Sequence, residues 1–203
     1  MNGMIKGLLS VAVMGSVLAA EAKFPLRVDI DVSTKRSTKQ IGAGDDGSAK
    51  VENVQVIVKI RKDGGQAYAE KLTAELYVIG KQIHTGYYGI IDVVKEDFYF
   101  NKENDQTHKF ASKMYALAKT DGNINVGGTY ETYLVVIVDK DGKIIDTRSG
   151  RVIKEKGIAR IREMGPKTLF DRDGNVVGKV DSSGSAFKKA VPAAVRSNDG
   201  GGN

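Results

Sequence analysis

Val54-Gln55-Val56-Ile57-Val58-Lys59-Ile60-Arg61 and Leu72-Thr73-Ala74-Glu75-Leu76-Tyr77-Val78-Ile79 are the stretches that decide the fold. In the first, Val54, Val56, Val58 and Ile60 share one face of an extended chain, while Gln55, Lys59 and Arg61 take most of the other. In the second, Leu72, Ala74, Leu76 and Val78 alternate with Thr73, Glu75, Tyr77 and Ile79. Successive side chains of a strand point to opposite faces, so this two-residue rhythm predicts half-buried strands over 51–61 and 71–79. Asp63-Gly64-Gly65 marks the loop between them.

Working outward, Leu26, Val28, Ile30 and Val32 alternate with Arg27, Asp29 and Asp31, which predicts a first strand over 26–32 with its acids facing solvent. The β-rich runs 87–94 and 97–101 are separated by Lys95-Glu96 and read as adjacent strands or one bent strand, with Phe98 and Phe100 together and Tyr99 opposite. Over 130–138, Tyr130, Leu134, Val136 and Val138 fall on one side and Tyr133, Val135 and Ile137 on the other. Both faces therefore want cover, as in a central strand. Asp139-Lys140-Asp141-Gly142 supplies a type I turn followed by a left-handed glycine and joins this strand to 143–147. The same chemistry in Asp171-Arg172-Asp173-Gly174 predicts a small terminal hairpin between 168–170 and 175–177. Residues 110–118 fit helical and strand spacing alike, and the surrounding pattern favours a strand. Ile158, Ile161 and Met164 recur near a turn apart, so 154–164 reads as a helix stopped by Gly165-Pro166, with Arg160 and Arg162 in water. From Asp181 onward Ser, Gly, Ala, Lys and Asp predominate, and the tail 181–203 is expected to be disordered.

Short strands with turn signals between them predict an all-β fold, an antiparallel β-sandwich with a short C-terminal helix and a small terminal hairpin. The long hairpin from Gly127-Gly128-Thr129-Tyr130-Glu131-Thr132-Tyr133 through Asp141-Gly142 to Ile144-Ile145 resembles the last two strands of immunoglobulin-like or fibronectin-III-like sandwich domains of exported bacterial proteins. That resemblance implies a fold and carries no site residues. The cysteine pair and buried Trp of antibody domains are missing, since Cys and Trp are both 0.

At the N-terminus, Lys6 precedes an uncharged apolar run from Gly7 to Ala20, and Ala20-Glu21-Ala22 offers small residues to a signal peptidase. Residues 1–22 thus read as a secretory signal with the mature chain starting at Lys23, because the run is shorter than the ~20 residues that cross a bilayer. The expected organisation is signal 1–22, sandwich 23–153, helix and hairpin 154–180, and tail 181–203. The product is placed in the periplasm, outside the cell or at its surface, with no membrane span after cleavage.

Composition removes several chemistries. With Cys at 0 there is no thiol nucleophile, thiolate metal site or disulfide, so packing and sheet hydrogen bonds must hold the fold. Gly42-Ala43-Gly44-Asp45-Asp46-Gly47 has the letters of a dinucleotide fingerprint, but a strand follows it and its aspartates would repel phosphate. In a calcium-loop register the two Asp-x-Asp-Gly turns would place Ile137 or Leu169 first and Arg148 or Val180 twelfth, none of which chelates. His84 and His108 sit in polar, turn-like stretches and read as surface residues, and no Gly-x-Ser-x-Gly elbow occurs. Neither cofactor nor metal is expected.

Formal charge is +6, and 151–172 concentrates it: Arg151, Lys154, Lys156, Arg160, Arg162, Lys167 and Arg172 stand against Glu155, Glu163 and Asp171. A second basic cluster is Lys35, Arg36 and Lys39. Such fields attract anionic polymers, whereas nucleic acid is not expected for an exported chain without a recognition motif. The candidate binding residues are Arg160, Arg162 and Lys156, with Tyr77, Tyr99 and Tyr133 as outward aromatics that could anchor a partner. The sequence thus leads to an exported, non-catalytic sandwich that binds a protein or an anionic envelope polymer. The alternatives are an envelope protein that self-assembles through Ile57, Tyr77 and Ile79, and a hydrolase with spatially assembled carboxylates. Oligomeric state is left open.

Overall fold

The computed structural model describes residues 27–41, 49–63, 70–83, 85–101, 106–118, 128–150, 153, 157–179 and 191–192. Two antiparallel sheets form the layers. The first holds β1 (Val28–Ile41), β2 (Ala49–Lys62), β5 (Thr107–Ala111), β6 (Tyr115–Ala118) and β11 (Val191–Pro192). Both β5 and β6 pair with β2 on the side away from β1. The second sheet has the order β10-β9-β4-β3-β7-β8, built from β3 (Leu72–Gln82), β4 (Tyr88–Phe98), β7 (Gly128–Val138), β8 (Ile144–Ser149), β9 (Thr168–Phe170) and β10 (Val176–Lys179).

The inner core lies where the rhythm of β2 and β3 predicts it. Val54, Val56, Val58 and Ile60 are fully buried against Leu72, Ala74, Leu76 and Val78, joined by Phe98, Phe110, Leu117, Val135 and Ile137. Phe98 and Phe100 are both buried while Tyr99 between them is exposed, as alternation requires.

The second sheet is covered on both faces. Its outer side chains Tyr77, Ile79, Ile90, Leu134 and Val136 form a second core with Ile153, Ile161, Met164 and Phe170. Ile161 belongs to α1 (Ile158–Arg162), the short helix laid on this face. Two-sided burial explains the continuous hydrophobicity of β7. One assignment within it changes: a register irregularity between Ile79 and Gly80 of β3 lets Tyr130 join the inner core with Val135 and Ile137 rather than the side of Leu134. A bulge shifts the alternation by one residue.

Other boundaries also differ from the expectation. β1 does not end at Val32 but continues to Ile41 in unbroken register with β2, from Val28↔Lys62 to Ile41↔Ala49. Ser33 to Thr38 are exposed, so backbone pairing holds them and hydrophobic alternation gives no sign of them. The stretch 88–98 is one strand, β4, the second of the two expected alternatives, with Lys95 and Glu96 inside it opposite Glu75 and Ala74. The ambiguous 107–118 is two short strands. Between them buried Ser112 bonds β2 twice, its N donating to Val56 O at 2.9 Å and its Oγ accepting from Val56 N at 3.0 Å. Ser112 thus keeps the ladder satisfied across the break. Within the expected tail, Val191 and Pro192 pair with Ala116 and Tyr115. The signal 1–22, the glycine run 42–47, His84, Lys154–Lys156 and the remainder of the tail lie outside the described residues. Among the described residues no helix is long and apolar enough to cross a membrane.

Candidate functional site

α1 is only five residues long, and a helix of that length needs tertiary anchors. Ile161 is the apolar one. Arg162 is the polar one: its Nε and Nη2 donate to the two oxygens of Glu75 at 2.8 and 3.1 Å. Glu75 also accepts from Tyr77 Oη at 3.0 Å and from Lys95 Nζ at 3.1 Å. Burial by itself would raise the Glu75 pKa, but the bonds from Arg162, Lys95 and Tyr77 outweigh it and hold the carboxyl near about 2. The Tyr77 hydroxyl is pushed well above its ordinary value, first by burial and then by the Glu75 charge beside it.

These contacts correct three expectations from the sequence. Arg162 is not free in water but half-buried in a bidentate pair. Tyr77 is fully buried under α1 and presents nothing to a partner. The self-association face loses its substance too, because Tyr77 and Ile79 are fully buried beneath α1, Met164 and Phe170, and Ile57 is partly covered. Tyr133 is half-buried against the inner core, and Tyr99 alone of the three tyrosines is exposed, at 50%. Lys156 lies outside the described residues. The five described candidates do not share one face, Tyr77 lying in the outer core and Tyr133 against the inner one.

His108 is corrected as well. It lies in β5, half-buried and stacked between Phe98 and Phe110, with ring centroids 4.6 and 5.5 Å away. Burial lowers its pKa, against the opposing pull of Glu96, whose Oε2 is 3.4 Å from Nε2. The ring was misplaced because Thr107-His108-Lys109 is polar in sequence yet is zipped to β2.

Arg160 behaves as expected. It is exposed, and its Nη1 donates to Asp173 O at 3.0 Å, tying α1 to the β9–β10 turn. That turn is held from within: Asp171 Oδ1 accepts from Asp173 N at 2.8 Å and Asn175 N at 2.9 Å, and Gly174 takes φ 77°. Its counterpart repeats the pattern, Asp139 Oδ1 accepting from Asp141 N and Lys143 N, with Gly142 at φ 78°. Hairpin chemistry therefore employs both leading carboxylates, and among the described residues no three His, Asp or Glu side chains gather as metal ligands.

Between α1 and this hairpin opens a groove of ≈590 Å³. Arg160, Glu163 and Met164 line it from the helix side, Gly165, Pro166 and Thr168 from the connection to β9, and Gly174, Asn175, Val176 and Lys179 from the hairpin. Val176 and Val177 beside it are 60% and 44% exposed. Val176 falls on the predicted hairpin strand 175–177 with no sign there of a binding role, and Lys179 lies beyond the basic segment 151–172, so neither is marked by local charge. The groove holds one carboxylate, Glu163, among its lining residues.

No protein-family model and no curated protein matches this chain. Among solved structures it is similar to a crystal structure from Akkermansia muciniphila, at 14% identity over 65% of this chain and 77% of that one, with a TM-score of 0.28. A second similarity is to an endonuclease/exonuclease/phosphatase from Beutenbergia cavernae DSM 12333, at 14% identity over 60% of this chain and a TM-score of 0.25. The match covers 34% of that second protein's length. The expectation of a chain without catalytic activity is withdrawn on this finding, since an enzyme stands among the matches. At this distance the likeness transfers no activity to the present protein.

Proposed function

We propose that this protein is an exported β-sandwich that serves as a binding module at the cell envelope, with an anionic polymer or acidic protein segment held in the groove between α1 and the β9–β10 hairpin. The carrying observation is that two cationic side chains, Arg160 from α1 and Lys179 from β10, both line that groove beside exposed Val176. Neither has a carboxylate partner among the described residues, since Arg160 bonds a backbone carbonyl. Two cations beside an apolar lip suit an anionic chain with some hydrocarbon character. Export is supported by the signal-like residues 1–22. A fibronectin-III-like relationship is supported by the layer order, β1-β2-β5 against β4-β3-β7-β8, which parallels A-B-E against C′-C-F-G.

The test is binding of a polyanion such as heparin or polyglutamate by the full chain. Affinity should fall as salt rises, and Arg160→Glu with Lys179→Glu should lower it by about tenfold or more at low salt. Arg162 is unsuited to this test because it holds Glu75. Affinity indifferent to salt and to both reversals would dismiss the groove as the binding surface.

A further inference from the structure

β1 runs along the edge of the first sheet. Among the described residues it pairs with β2 on one side, and no strand lies along the other. Asp63 N donates to Arg27 O across the β1–β2 ladder, whereas Lys62 N donates away from β1, to Gln106 O. Val56 likewise exchanges its bonds with Ser112 on the far side. In an antiparallel ladder this phase alternates residue by residue, so Val28, Ile30, Val32, Thr34 and Arg36 turn their N–H and C=O groups to the free edge.

Such an edge is a template for another strand unless charge guards it. On β1 the charge changes sign instead of repeating. Asp29 and Asp31 precede Lys35 on the outward face. Asp29 is engaged by Arg61 at 2.9 Å. Asp31 and Lys35 are exposed, and neither has a partner among the described residues. The strand is therefore complementary to itself when reversed.

We propose that β1 pairs antiparallel with β1 of a second copy of this chain about a two-fold axis, each Asp31 opposite the other copy's Lys35. Edge-facing residues must pair with edge-facing residues, and this register obeys that condition by setting Val32 against Thr34 and Ile30 against Arg36. In-register parallel pairing would set Asp31 against Asp31 and Lys35 against Lys35, which like-charge repulsion disfavours. Ser33 to Thr38 are exposed, with Arg36 laid over the Tyr130 ring on the inner side, and among the described residues no strand occupies the free edge.

Sedimentation velocity on the full chain, from about 1 to about 300 µM, tests this. The expected result is a concentration-dependent dimer that Lys35→Asp weakens about tenfold, Asp31→Lys by a similar factor, and the double exchange restores to within about threefold of the original. A strict monomer overturns the proposal. So does a dimer that the single reversals leave unchanged, as association through the apolar run 7–20 would be, and so does a double exchange no better than its singles. Circular dichroism confirms that the variants remain folded.

Discussion

The guanidinium of Arg162 grips both carboxylate oxygens of Glu75, and through that grip α1 is fastened to the outer face of the second sheet. The pair sits between a half-buried cation and a nearly buried anion, side-chain exposures being 25% and 5%. Removing one partner there leaves the other inadequately solvated. Arg162→Met should cost about 2 kcal/mol in urea unfolding, whereas Lys95→Met should cost about 0.5 kcal/mol or less, since the Lys95 side chain is 53% exposed and water screens it.

Acid should weaken the protein through the same carboxyl. Glu75 is held near about 2 in the folded chain, below the unfolded value of about 4.3. A depressed acid contributes stability that is fully present above its unfolded pKa and is lost as pH falls toward its folded pKa. The contribution is about 3 kcal/mol, lost between about pH 4.5 and about pH 2. Urea midpoints measured across that window should fall steeply in the wild type and more gently in Glu75→Gln.

The outer core is a packing claim that one truncation checks. Phe170 is fully buried and stacks on Tyr88 at 5.5 Å. Phe170→Ala should cost about 3 to 4 kcal/mol of unfolding free energy. Tyr99→Ala, at an exposed position, should stay within about 0.5 kcal/mol of wild type.

Gly150 touches β7 closely enough to exclude a side chain. A Cβ placed there would overlap Thr132 Oγ1 and lie 3.2 Å from Thr132 Cβ. Gly150→Ala should lower stability by about 1 to 3 kcal/mol. Adding Thr132→Ala should return part of that loss, and thermal unfolding of the two singles and the double would read the non-additivity directly.

How much of this was legible beforehand depended on the kind of force involved. Val54, Val56, Val58 and Ile60 announced their common face because one side of β2 is buried from Glu52 to Ile60. Asp171 and Gly174 announced their turn because its bonds are local. Ser33 to Thr38 announced nothing, since their strand is held by backbone pairing with β2, which leaves no hydrophobic rhythm. Tyr77 and Arg162 were misread for a related reason. A tyrosine beside a glutamate on an alternating strand reads as outward, and only the helix brought over it from far along the chain makes that face an interior.

By itself, then, the chain's pattern of side chains determined that it would fold as antiparallel sheets over a dry interior, with aspartate-glycine hairpins and no cysteine chemistry. Periodicity and turn residues act over a few neighbours and are written in the order of the letters. Only tertiary structure decided that the second sheet is buried on both faces, that Arg162 serves the fold while Arg160 and Lys179 line one groove, and that Asp31 and Lys35 stand on an edge strand. Those outcomes depend on which distant segments meet, and contact between distant segments is settled by packing rather than by local sequence.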